Sequence, residues 1–113
     1  MVLVNARSDD TLASDVSLAL TRTERRQGLL GRDSLDRSAA LVLSPCWSIH
    51  TMFMRFPIDV IFVRRDGLVL KTYAAIPAWR MAFGWRAYAV VELPAGALAR
   101  AGVKPGDRLE LVF

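Results

Sequence analysis

One stretch of this chain concentrates side chains that could do chemistry: Pro45-Cys46-Trp47-Ser48-Ile49-His50-Thr51-Met52-Phe53-Met54-Arg55-Phe56-Pro57-Ile58-Asp59-Val60. It holds the only cysteine and the only histidine, together with two methionines, an arginine and an aspartate. Thiolate, imidazole and thioether are soft ligands, so Cys46, His50, Met52 and Met54 raise the question of Cu(I), or of zinc through Cys46 and His50. No Cys-x-x-Cys or His-x-x-x-His pair supports a metal, and no cofactor is expected. The competing reading is that methionine and cysteine fill core gaps while His50 is a satisfied polar group. A cysteine nucleophile would need His50 as its base. In an extended strand the two residues lie roughly 13 Å apart, at about 3.3 Å per residue. Only a turn at Ser48 would join them, so a buried thiol is the expectation.

Two carboxylates stand in apolar surroundings: Asp59 between Ile58 and Val60, and Glu92 between Val91 and Leu93. A buried carboxylate must be paired or hydrogen-bonded, or take a raised pKa. Arg25, Arg32 and Arg55 are the evident partners. Such groups could form a general acid–base pair or a clamp for a ligand's carboxylate. They could equally be structural ion pairs, and that reading is preferred. A third group is aromatic: Trp79, Met81, Phe83 and Trp85 recur at a spacing of two, joined by Trp47 and Tyr88. Exposed, these rings could bind a sugar, a peptide or a membrane surface; buried, they are core.

The elements that must position these groups follow from pattern. Val2/Val4 and Val16/Leu18/Leu20 alternate loosely, with a turn at Ser8-Asp9-Asp10 between two strands. Thr21-Arg22-Thr23-Glu24 reads as a capping box opening a short helix that ends at Gly31. Residues 39–43, 47–53, 58–63, 87–93 and 108–113 read as strands, and Asp66-Gly67 as a hairpin turn. Pro57 marks a break, bulge or edge. Pro94 to Ala101 reads as a second short helix before Gly102. With no βαβ alternation seen, the expected fold is mainly β. It is a compact antiparallel β-sandwich or partly closed barrel of about seven to eight short strands with two short helices.

Composition bounds the rest. At 113 residues the chain is expected to be one domain, residues 1–113. An apolar fraction of 53% excludes a disordered chain. The formal charge is +4, and 13 of the 15 cations are arginines scattered from Arg7 to Arg108. Nucleic-acid binders gather their cations on one face, so the scatter argues against nucleic acid as a partner. One cysteine forms no internal disulfide. No apolar run reaches the roughly 18 residues of a membrane-spanning helix. A soluble cytoplasmic protein is expected, and a leader upstream of residue 1 stays open. Oligomeric state is not encoded in any pattern.

The motifs together resemble those of the bacterial and archaeal domain-of-unknown-function family one-nine-two. The resemblance rests on Glu24-Arg25-Arg26-Gln27-Gly28-Leu29-Leu30-Gly31-Arg32, where that family has Glu-Arg-x-x-Gly-Leu-Met-x-Arg. It continues through His50-Thr51, Met54, Pro57-Ile58-Asp59-Val60-Ile61-Phe62 and Asp66-Gly67. It ends with Glu92-Leu93-Pro94-Ala95-Gly96 and the turn from Gly102 to Gly106-Asp107. This chain departs in having Leu30 for Met, and Cys46 and His50 where many relatives carry Phe-Trp-Met-Lys-Asn-Thr. The resemblance implies a compact, mainly β domain and no activity.

Two readings of function lead, with soft-metal binding through Cys46, His50, Met52 and Met54 as a third. The first is a non-catalytic module binding a small ligand or a protein near His50, Met54 and Asp59. Arg25, Arg32, Thr51, Glu92, Trp79 and Trp85 are its further candidate residues. The second is a small enzyme using Asp59 or Glu92 with His50 and an arginine. It requires these groups to converge around an open cavity.

Overall fold

The computed structural model describes residues 1–113. Ten strands and two short helices follow in the order β1 (Val2–Asn5), β2 (Thr11–Ala13), β3 (Asp15–Ala19), α1 (Arg22–Gln27), β4 (Ala39–Leu43), β5 (Ser48–His50), β6 (Ile58–Val63), β7 (Val69–Ile76), β8 (Met81–Phe83), β9 (Ala89–Pro94), α2 (Ala97–Ala101) and β10 (Leu109–Val112). They form an open five-stranded sheet, β3-β4-β9-β6-β7, a three-stranded sheet, β10-β1-β2, and a two-stranded ribbon, β5-β8. The fold is mainly β and sandwich-like, as expected, with more and shorter strands than the seven or eight counted from the pattern.

The five-stranded sheet is covered on both sides. Every residue of β4 and β6 is buried, as are the first five of β9. Strands buried on both faces read as continuous apolar runs rather than alternating ones. Along β4, Ala40 and Val42 pack against β1, β2, β10 and α2. Leu41 and Leu43 pack on the other side, against Leu29 after α1 and Ile49 and Ala82 of the ribbon. Val16, Ile61, Val63, Val91 and Leu93 belong to the first core; Val60, Phe62 and Val90 belong to the second.

One pairing departs from the expectation of an antiparallel sheet: β3 and β4 run parallel, from Asp15↔Ala39 to Ala19↔Leu43. The crossover between them carries α1, making a βαβ unit. It does not read as one because α1 is six residues long and buries none of them. Most of the crossover is irregular chain. The capping box holds: Thr21 Oγ1 accepts from Glu24 N at 3.1 Å, and Glu24 Oε1 accepts from Thr21 N at 3.1 Å. The helix stops at Gly28 rather than Gly31, with φ at +48°. That positive φ is the conformation glycine tolerates best.

The ribbon is also shorter than its sequence suggests. Residues 47–53 were expected as one strand, but the ladder covers Ser48–His50 only. Phe53 turns the chain away with φ at +66°. The ribbon lies closely on β6: a Cβ placed on Gly84 would sit 2.3 Å from the Phe62 ring. Only a glycine permits that approach.

Candidate functional site

Asp59 and Glu92 occupy neighbouring strands, where Asp59 faces Leu93 and Val60 faces Glu92 in the antiparallel ladder. Paired residues share a face, so the two carboxylates point to opposite sides of the sheet. Asp59 joins the α2 side, with Leu93; Glu92 joins the α1 side, with Val60. They cannot act as one acid–base pair, which corrects that part of the sequence reading.

Asp59 is 1% exposed and fully engaged. Its Oδ1 accepts from Ala75 N at 2.7 Å, and its Oδ2 accepts from Gly96 N at 3.1 Å and Leu98 N at 2.9 Å. Gly96 is the N-cap of α2 and has no side chain to cap with. Asp59 supplies the missing cap from a neighbouring strand, an anion at a helix N-terminus. None of the expected arginines holds it. Arg55 pairs with Asp33 at 2.6 Å on the surface. Arg25 Nη1 donates to the Leu20 and Ser44 carbonyls. Arg32 is exposed.

Glu92 is the opposite case. It is 5% exposed as a residue, and no hydrogen bond or ion pair engages its carboxylate, whose oxygens keep access to solvent at a cavity. Burial pushes its pKa up to about 7. It lies at a cavity of about 300 Å³ between α1 and β5, whose wall includes Arg22, Arg25, Arg26, Cys46, His50 and Met54. Gly28 stands beside it: a Cβ there would lie 3.9 Å from Glu92 Oε1. Of the residues singled out from sequence, Arg25, His50, Met54 and Glu92 meet here. Arg32, Thr51, Asp59, Trp79 and Trp85 do not. Arg22, Arg26 and Gly28 were missed as site residues, although they sit within or beside the Glu24–Arg32 motif.

Cys46 also lines the cavity, and its thiol donates to the Ser48 carbonyl at 3.1 Å. Burial raises its pKa, with the Glu92 charge adding to the effect and Arg25 opposing it. A thiol held protonated is a weak nucleophile. His50, Glu92 and Arg25 share the cavity wall, but no hydrogen bond or ion pair joins any two of them. No group of three or more His, Cys, Asp or Glu side chains is placed to hold a metal ion.

Thr51 is a clamp rather than a cavity residue. It is wholly buried, and its Oγ1 donates to the Pro77 carbonyl at 2.6 Å while accepting from Arg80 N at 2.9 Å. Its backbone carbonyl accepts from Trp79 N and Met54 N. It therefore ties the 52–54 turn to the 77–80 turn. Trp79 and Trp85 are solvent-exposed, at 57% and 82%.

Comparison with known proteins gives a consistent picture. The family described as DUF192, an uncharacterized ACR, matches residues 3–111. Among solved structures, the chain is similar to a "putative transcription regulator" from Sinorhizobium meliloti 1021, with a TM-score of 0.83 and 26% identity over 96% of this chain and 89% of that one. It is equally similar to a protein of unknown function from Novosphingobium aromaticivorans DSM 12444, with a TM-score of 0.81 and 26% identity over 97% and 82% of the two chains. No curated protein matches it. No helix is long and apolar enough to cross a membrane.

Proposed function

The chain belongs to the DUF192 family, and we propose that it is a small ligand-binding module whose site is the cavity between α1 and β5. The observation that carries this reading is Glu92, a buried carboxyl without a protein partner beside an open cavity. No fully buried side-chain N or O atom lacks a hydrogen-bond partner, so the unbonded Glu92 oxygens open onto the cavity, where a ligand can reach them. A ligand polar group there would bond a carboxyl that no protein group engages. Arg22, Arg25 and Arg26 add positive charge to the same wall, while Leu29, Leu43 and Met54 make it partly apolar. A volume near 300 Å³ suits a small molecule. The chemistry favours one with an anionic group for the arginines and a hydroxyl, amide or amine for Glu92.

A second reading has one observation in its favour. A carboxyl that titrates near pH 7, in a cavity with His50 and Arg25, is suited to general acid–base catalysis. The description of the Sinorhizobium relative as a transcription regulator is not carried over to this chain, whose arginines are spread along the sequence from Arg7 to Arg108.

A thermal-shift screen of small carboxylates, phosphates, amino acids and sugars, run on wild type and Glu92→Gln, tests the proposal. Binding predicts a stabilising shift in wild type that Glu92→Gln reduces. An absence of shifts in wild type, or shifts that survive the substitution intact, overturns it. Turnover of a bound compound with a pH–rate step near 7, lost in Glu92→Gln, establishes the catalytic reading instead.

A further inference from the structure

The ribbon, whose Ser48 and His50 also line the Glu92 cavity, carries a second feature. Phe53 and Trp79 pack with ring centroids 4.6 Å apart and planes tilted by 59°, yet are 71% and 57% exposed. Both have positive φ, +66° in each case. For bulky side chains this backbone is costly, and such residues persist where surrounding structure over-determines them. The Thr51 clamp does that here, since Trp79 N and Arg80 N both bond to it. At the other end of the ribbon Trp47 and Phe83 approach to 6.0 Å, both exposed. Met81 lies between, 58% exposed, and Trp85 follows at 82%.

The segments that carry these rings contribute cations and no carboxylates. Residues 44–58 and 67–91 contain no aspartate or glutamate; Arg55, Arg80 and Arg86 lie within them, all exposed. Asp33, from another segment, pairs with Arg55. We propose that the exposed face of the β5-β8 ribbon docks on an anionic lipid surface, with Phe53, Trp79 and Met81 entering the headgroup boundary and Arg80 and Arg86 meeting the phosphates.

The composition favours lipid over other occupants. Tryptophan and phenylalanine are the residues that anchor at membrane interfaces, and arginines beside them add attraction to anionic headgroups. A second copy meeting the same face would oppose arginine with arginine. A single-stranded nucleic acid could stack on the rings, but it needs a cationic groove tracking its backbone. Here apolar groups outnumber the cations.

Vesicle flotation and tryptophan emission test this with the full chain. Wild type is expected to float with vesicles of equal parts phosphatidylcholine and phosphatidylglycerol, far less with phosphatidylcholine alone, and to shift its emission to the blue. Salt should weaken the binding. Phe53→Ser with Trp79→Ser should lower partitioning by about tenfold or more. Arg80→Glu with Arg86→Glu touches only exposed side chains and should lower it on anionic vesicles, which keeps the test sound if the aromatic variant misfolds. No binding to anionic vesicles, or binding that survives both variants, overturns the proposal. So does self-association that buries the tryptophans, or binding of a single-stranded oligonucleotide without vesicle binding.

Discussion

The two faces of the central sheet treat a buried carboxylate in opposite ways. On the α2 face, Asp59 receives three backbone N–H bonds and caps a helix. On the α1 face, one residue pair along the same ladder, Glu92 receives none and sits at a cavity. Solvent exposure alone would not separate them, at 1% and 5%. The difference lies in what the covering helix offers. Asp59 meets the N-terminus of α2, where backbone donors lack intrahelical partners. Near Glu92, α1 contributes arginine side chains and ends at Gly28, whose missing side chain leaves space. Satisfaction of hydrogen bonds, rather than burial, distinguishes a structural carboxylate from a candidate for function.

The sharpest way to break that distinction is Asp59→Ala. It leaves three buried or part-buried amides without their acceptor and α2 without its cap. The expected loss is roughly 4 kcal/mol in urea denaturation, from the cost of unsatisfied buried donors and a lost cap. Asp59→Asn keeps acceptor capacity through one oxygen and should lose about half as much. A loss below about 1 kcal/mol for Asp59→Ala would place Asp59 in the same class as Glu92.

The Glu92 side of the comparison predicts a change of opposite sign. A free glutamate ionises near pH 4.5, whereas folded Glu92 keeps its proton to about pH 7. Between these values the folded chain binds a proton that the unfolded chain has released, so stability falls as pH rises. The effect is absent below pH 4.5 and complete above 7. A shift of this size corresponds to roughly 3 kcal/mol. Glu92→Gln should therefore be the more stable protein at pH 8, by up to about 3 kcal/mol, with the two proteins converging near pH 4. Equal stability at both pH values would mean that Glu92 is solvated or paired. The distinction between the faces would then vanish.

The sequence exposed the positions of both carboxylates but not their fates. Ile58-Asp59-Val60 and Val91-Glu92-Leu93 look alike, because each is a polar residue in a strand buried on both faces. Which face each occupies depends on ladder register, a long-range property that local pattern does not carry. The strands flanking Asp66-Gly67, the Thr21–Glu24 cap and the α2 stop at Gly102 were legible, since turn and cap chemistry is local. The parallel β3-β4 pair was not, because its crossover helix is too short to show a period. Thr51 stood out through its motif, but its clamp joins chain segments 26 to 29 residues apart. The cavity was half legible: Arg25, His50, Met54 and Glu92 were marked, while Arg22, Arg26 and Gly28 passed as helix surface and helix end.

The arginines give the smallest expected effect and test whether Asp59 stands on backbone amides alone. Charge pairing made Arg25, Arg32 and Arg55 the natural partners for a buried aspartate, yet each lies elsewhere. Arg55 meets Asp33 where their side chains are 58% and 85% exposed. Exposed pairs of this kind contribute about 0–1 kcal/mol, because solvent screens the attraction and two long side chains must be held still. Arg55→Ala and Arg32→Ala should each change stability by no more than about 0.5 kcal/mol, measured by the same urea midpoints. A loss near 2 kcal/mol in either would mean that an arginine supports the Asp59 charge over a longer range. The α2 face would then depend on side-chain charge as well as on backbone donors. A null result leaves the contrast where the geometry puts it, with Asp59 held by three N–H groups and Glu92 unpartnered.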